Sequence, residues 1–282
     1  MKKLVLIAFF VPSLLQAQWH LDLFGGFSNY YGDLQSKAFT VDQAGLAIGA
    51  GLKYDLTAHF ALLAGLNYGK VGASDAYNKP SLQTRNLSFQ SNIVEWNFMG
   101  EYTLLDLENN WVSPYVFAGL AVYHFNPYAY DTLGNKVYLK PLSTEGEGLP
   151  QYPRIKPYSL TQLAIPFGGG IKFRITNKVV LAYEIGFRKL FTDYLDDVSG
   201  KYIDPAILLA DKGPLAVEMA YRGGQIKGGD PNYPATGSLR GDAKSKDWYY
   251  FSGIKVSIAL NDSNEKHHHR GYGIMDCPKK VY

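Results

Sequence analysis

Few residues in this chain have types and spacings that could support chemistry. His124 stands near the end of an apolar run, where a lipid-directed hydrolase could place a base. A lone histidine at a strand end is more often an interfacial residue, and neither G-x-S-x-G nor H-E-x-x-H occurs. Asp193, Asp196 and Asp197 open the longest gap between apolar runs. Clustered carboxylates can bind Ca²⁺, yet this spacing matches no EF-hand, and ordinary loop hydrogen bonding is the expectation. His267, His268 and His269 are adjacent, so they cannot all converge on one metal ion, and a solvated run is expected. Cys277 is the single cysteine, which excludes an internal disulfide framework. In an oxidising compartment it could attach a partner through an intermolecular disulfide; an inert thiol is the equal alternative. The expectation is therefore no catalytic residue, no metal site and no cofactor.

The elements that carry these residues are long strands. Residues 1–17 have the pattern of a secretory signal: Lys2 and Lys3, an apolar run from Leu4 to Leu15, and Leu15-Gln16-Ala17 before Gln18. That run is too short for a spanning helix. Beyond it, alternating runs lie at roughly 19–30, 43–54, 58–69, 86–104, 112–125, 160–175, 178–190 and 247–260. Soluble strands are about half that length, whereas a strand needs about 9–11 residues to cross a bilayer. The gaps alternate between short and long, with 55–57, 105–111 and 176–177 short and 31–42, 70–85, 126–159 and 191–246 long. Short periplasmic turns, long extracellular loops and an even strand number specify an all-β, eight-stranded antiparallel outer-membrane barrel over 18–260. A mean hydropathy of −0.15 is compatible, since every second barrel residue faces the lumen. The net charge of +3 is spread out and gives no nucleic-acid footprint.

The period of two assigns the faces. Val94, Trp96, Phe98 and Tyr102 oppose Glu95, Asn97 and Glu101; Leu46, Ile48 and Leu52 oppose four small residues and Lys53. Bulky side chains share one face while glycine and alanine crowd the charged one. An eight-stranded interior is only just wide enough for side chains, so the small, charged face belongs inside. The fifth run is apolar on both faces and stays ambiguous. Trp19, Tyr54, Tyr68, Tyr102, Tyr115 and Tyr250 sit where interfacial girdles are expected. The inward set holds Asp22, Glu95, Glu101 and Glu184 against Lys53, Lys172, Arg174, Arg188 and Lys255. Four acids and five bases in a narrow core predict a salt-bridged plug with a structural role, because unpaired buried charge costs several kcal/mol.

Residues 261–282 continue past the last strand as a polar tail, expected in the periplasm. Several stretches in order carry a family likeness: Asn29–Leu34 (NYYGDL), Arg85–Phe89 (RNLSF), Ser113–Gly119 (SPYVFAG) and Thr144–Gly148 (TEGEG). Further along come Gln162–Gly168 (QLAIPFG), Thr192–Ser199, Asp247–Ser252 (DWYYFS) and the terminal Cys277-Pro278. The chain resembles the PorG-like outer-membrane barrels of the type IX secretion system of Bacteroidota. That resemblance implies a non-enzymatic component, set in outer-membrane lipid, that docks a periplasmic ring of PorK and PorN type against the outer membrane. Contact with other outer-membrane components of that system is also implied. Ser263 to Tyr282 and the short turns are then expected to meet the ring. A small barrel acting as an adhesin through its outer loops is the alternative from another class.

Overall fold

A computed structural model describes residues 19–37 and 40–260. Its long strands are β1 (Trp19–Tyr31), β2 (Gly45–Asp55), β3 (Phe60–Ser74), β4 (Ser88–Thr103) and β5 (Val112–His124). A short hairpin follows, β6 (Tyr128–Tyr130) and β7 (Lys136–Tyr138), then β8 (Thr161–Arg174), β9 (Val179–Leu190) and β10 (Trp248–Ala259). Each long strand pairs antiparallel with the next, and β1 pairs with β10 from His20↔Ala259 to Tyr31↔Trp248. The result is a closed eight-stranded barrel, with no free sheet edge along the wall. The β6–β7 hairpin stands outside this circuit, joined to β4 at Gln90↔Tyr128. Short connections at 56–59, 104–111 and 175–178 gather at one end; the four long loops gather at the other.

The wall inverts the usual soluble pattern. Leu46, Ile48, Trp96, Phe98, Val116, Leu120 and Leu163 project outward and are 52–72 % exposed. A continuous apolar surface of this size needs lipid, not water, as its solvent. Along β4 and the residue that follows it, the exposed apolar band runs from Val94 to Leu104. Ten residue steps at about 3.4 Å, tilted by about 40°, give a height of about 26 Å, which matches the hydrocarbon band of an outer-membrane barrel.

Inside, space is rationed by glycine. A Cβ on Gly168 would lie 2.2 Å from the Ile185 carbonyl oxygen, and one on Gly186 would lie 2.8 Å from the Phe117 ring. These glycines make room for the inward aromatics of β5. The fifth strand's faces are thereby settled: Ser113, Tyr115, Phe117 and Tyr123 point inward, while Val116, Leu120 and Val122 point to lipid.

Three expectations need correction. Tyr115 is not a girdle residue; it is 1 % exposed, and its hydroxyl donates to Glu184 Oε2 at 2.7 Å. Tyr250 occupies an outward register position but is buried rather than lipid-facing. The gap expected at 70–85 is partly strand, because β3 and β4 stay paired out to Ser74↔Ser88. The long loops also carry structure that period-two reading leaves out, namely β6, β7, α1 (Pro80–Gln83), α2 (Pro205–Lys212) and α3 (Pro214–Ala220). Asp204 caps α2 by accepting from the Ala206 amide, and Gly213, at φ +85°, ends it.

Candidate functional site

Two polar clusters and one cavity lie along the barrel axis. Mid-barrel, the Arg188 guanidinium forks onto Glu95, with Nε 2.9 Å from Oε2 and Nη2 3.1 Å from Oε1. Glu95 also accepts from the hydroxyl of Tyr249 at 2.7 Å and from the amides of Asn67 and Asn97. Nearer the turn end Lys172 binds Glu101, Lys255 bridges Glu101 and Glu184, and Tyr115 completes Glu184. The acids and bases come from β4, β8, β9 and β10: Glu101–Lys255 spans opposite strands, Glu95–Arg188 nearly so, and the other pairs join strands nearer together. All are nearly or wholly buried, and each carboxylate has several donors, as buried charges require.

Of the nine residues expected in the lumen, the structure unites six: Glu95, Glu101, Lys172, Glu184, Arg188 and Lys255. Lys53 lies apart, 3.5 Å from Asp55, whose other oxygen is 2.8 Å from His20 Nε2. Asp22 is buried without a hydrogen-bond partner among the described residues. Arg174 is not part of the plug; it sits at the turn-end rim and donates to the Glu108 carbonyl at 2.8 Å. Its register places it inward, but it is two residues closer to the strand end than Lys172, past the last buried carboxylate. Tyr115 and Tyr249 were not legible as members because they are aromatic, and Asp55, the partner of Lys53, was not because it ends its strand.

At the loop end the four long loops are welded into one cap. Arg85 forks onto Asp75 with two 2.8 Å bonds, and also donates to the carbonyls of Asp33 and Arg240. Arg240 in turn binds Glu145 at 2.9 Å, and Glu145 accepts from the amides of Ser199 and Gly200. Thr144 and Tyr158 both donate to Asp197, and the Tyr30 hydroxyl lies 2.6 Å from Asp196 and 2.9 Å from Asp247. The partners are up to 217 positions apart in the chain.

A phenol has one proton, so Tyr30 donates to only one of its two carboxylates. The second contact is favourable when that carboxyl keeps its own proton and donates to the phenol oxygen. Burial, reinforced by neighbouring carboxylates, raises both Asp196 and Asp247 well above the usual carboxylate range, which fits a shared proton. Burial also lifts Glu147 to about 8, Asp193 to about 7 and Asp197 to about 6. Thus Asp196 and Asp197 are spent on hydrogen bonds inside the cap, whereas Asp193 is buried with neither carboxylate oxygen hydrogen-bonded among the described residues. The resemblance-bearing stretches converge here: Tyr30, Asp33, Arg85, Thr144, Glu145, Asp196, Asp197 and Asp247 all belong to them.

His124 faces outward and is exposed, with Nδ1 2.9 Å from the Thr161 hydroxyl. Cys277 and the His267–His269 run lie outside the described residues, as does the rest of 261–282. At the turn end, a cavity of about 490 Å³ opens among His20, Lys53, Asp55, Phe60, Arg174 and their neighbours.

The family described as a domain of unknown function (DUF6089) matches residues 2–204, and the chain belongs to it. The match takes in β1 to β9 and leaves β10 outside. No curated protein matches the chain. Among solved structures, Neisserial surface protein A is 11 % identical, covering 86 % of this chain and 97 % of its own, at a TM-score of 0.43. Ail of Yersinia pestis, solved with the heparin analogue sucrose octasulfate, is 7 % identical over 86 % of this chain and 99 % of its own, at 0.40. A major outer membrane protein of Thermus thermophilus is 13 % identical over 86 % and 99 %, also at 0.40. The barrel assignment rests on the closed sheet and its lipid-facing wall, and likenesses of this size add no function to it.

Proposed function

We propose that this DUF6089-family barrel is a non-enzymatic anchor of a type IX secretion machine, set in the outer membrane and holding a periplasmic ring of PorK and PorN type against it. The observation that carries this reading is the double closure. Struts from Glu95–Arg188 to Glu101–Lys255 fill the lumen, and the Arg85–Arg240 weld covers its loop end. Such a barrel passes no solute and spends its polar groups on rigidity, which is what an anchor needs. The ordered likeness to PorG-like barrels supplies the partner. In the usual orientation of such barrels the turns and both termini face the periplasm. Ser263 to Tyr282 then reach the ring, and Cys277 adds a covalent link to it.

The test is a mild-detergent pull-down of the tagged protein from native membranes, run on reducing and non-reducing gels. Recovery of ring components, with a thiol-sensitive band lost in Cys277→Ser, is the expected result. A lone barrel, under conditions that keep the ring intact, refutes anchoring. A second reading as a surface adhesin is favoured by the cap, which presents a preformed face at the loop end. It predicts that deleting 206–240 removes surface binding and leaves secretion untouched.

A further inference from the structure

The turn-end cavity is lined by three cations, Lys53, Lys172 and Arg174, and three carboxylates, Asp55, Asp106 and Glu108, and their pairing leaves some donors unanswered. Lys53 is 5 % exposed, and its nearest carboxylate is Asp55 at 3.5 Å, which also serves His20; Glu101, deeper in, attracts it from farther off and is itself held by Lys172 and Lys255. Arg174 has five N–H groups and spends one on the Glu108 carbonyl, with no carboxylate partner among the described residues. Two acids also line the cavity but do not answer these donors. Asp106 accepts from the Glu108 amide and the Asn109 side chain within its own turn, and Glu108 is exposed on the rim. Lys172, deeper in, is already held by Glu101. Apolar wall is supplied by Ala61 and Val180. A concave site of several hundred Å³, apolar on one side with a few convergent charged donors, has the anatomy of a ligand pocket. Its volume suits a few side chains rather than a single ion.

We infer that this mouth receives a peptide segment bearing a carboxylate next to an apolar side chain, with Arg174 and Lys53 binding the carboxylate. Arg174 supplies a planar fork that fits a carboxylate through two N–H bonds, and Lys53 adds a point charge. The identity of the peptide's owner, a periplasmic partner, rests on the anchoring reading; the pocket and its ligand chemistry do not.

The probe is acetyl-Leu-Asp-Leu-Glu-Leu-amide, titrated into isotope-labelled full-length protein in detergent and followed by amide resonances. Its counterpart with Asn and Gln in place of Asp and Glu is the control. The expected result is saturable shifts confined to residues 53–61, 103–108 and 172–180, at least tenfold weaker for the amide peptide. Arg174→Ala, at the rim, and Lys53→Met should each weaken the acidic peptide at least tenfold while the barrel keeps its heat-shifted gel mobility. Equal binding of both peptides, or unchanged binding by Arg174→Ala, overturns the inference. So does inorganic phosphate binding as tightly as the peptide, which would make this a small-anion site. Because the peptide is added to isolated protein, its failure to bind leaves recovery of the ring, and hence the anchoring reading, to stand or fall separately.

Discussion

Removing Arg188 is the most informative perturbation of the plug. Arg188→Ala leaves Glu95 wholly buried in mid-barrel without its counter-charge. Breaking a buried pair from one side typically costs roughly 3–5 kcal/mol. Here Tyr249, Asn67 and Asn97 continue to donate to Glu95, which puts the expected cost at the low end, about 3 kcal/mol. At about 1.4 kcal/mol per decade, that is a shift of roughly a hundredfold in the unfolding equilibrium. The double variant Arg188→Met with Glu95→Gln removes both charges and nearly keeps the volume, and the thioether takes the place of the guanidinium carbon that lies 4.3 Å from the centroid of the Phe251 ring. It should lose less than half as much, because no orphaned charge remains. Urea titration in lipid vesicles, followed by tryptophan emission, reads both. If the single variant is no less stable than the double one, the pair is not a strut and the argument from buried charge fails.

Other consequences concern the cap and the wall. Tyr30→Phe removes the hydroxyl between Asp196 and Asp247, and should cost about 1–3 kcal/mol in the cap, read as faster amide exchange at 192–199 with the barrel unchanged. Glu147, Asp193 and Asp197 have folded pKa values raised to about 8, 7 and 6. Raised acids keep protons that the unfolded loop releases, so their stabilisation is complete below about pH 4 and is lost as pH climbs through 6 to 8. Limited proteolysis of the loops should therefore quicken between about pH 5 and 8.5, and a flat profile contradicts the assignment. Leu120→Arg, on the lipid face and 67 % exposed, should cost about 2–4 kcal/mol in vesicles and almost nothing if that face were in water.

Much of the wall was legible because lumen volume is a strong constraint: Gly49, Gly51 and Gly168 on the charged face could only point inward. The fifth strand was not, since Tyr115 and Val116 are both apolar enough for lipid. Only partners on the next two strands, Glu184 for Tyr115 and the glycines facing Phe117, choose between them. Charges mid-strand, such as Glu95 and Lys255, read correctly as inward. Arg174 misled because alternation gives the face and not the depth. The cap was opaque for a different reason. Its bonds join Tyr30 to Asp247 and Glu145 to Arg240, 217 and 95 positions apart, and no local period records such pairings. Only the stretches around those residues hinted that they mattered, without saying that they meet.

The account turns on a barrel that is closed along its axis, and conductance measures that directly. Purified full-length protein inserted in a planar lipid bilayer, with folding verified by heat-shifted gel mobility, should give no stepwise current at either polarity. Steady ohmic steps from the folded wild-type protein would mean an open water path past Glu95, Arg188 and the cap, and the anchor reading would give way to a channel.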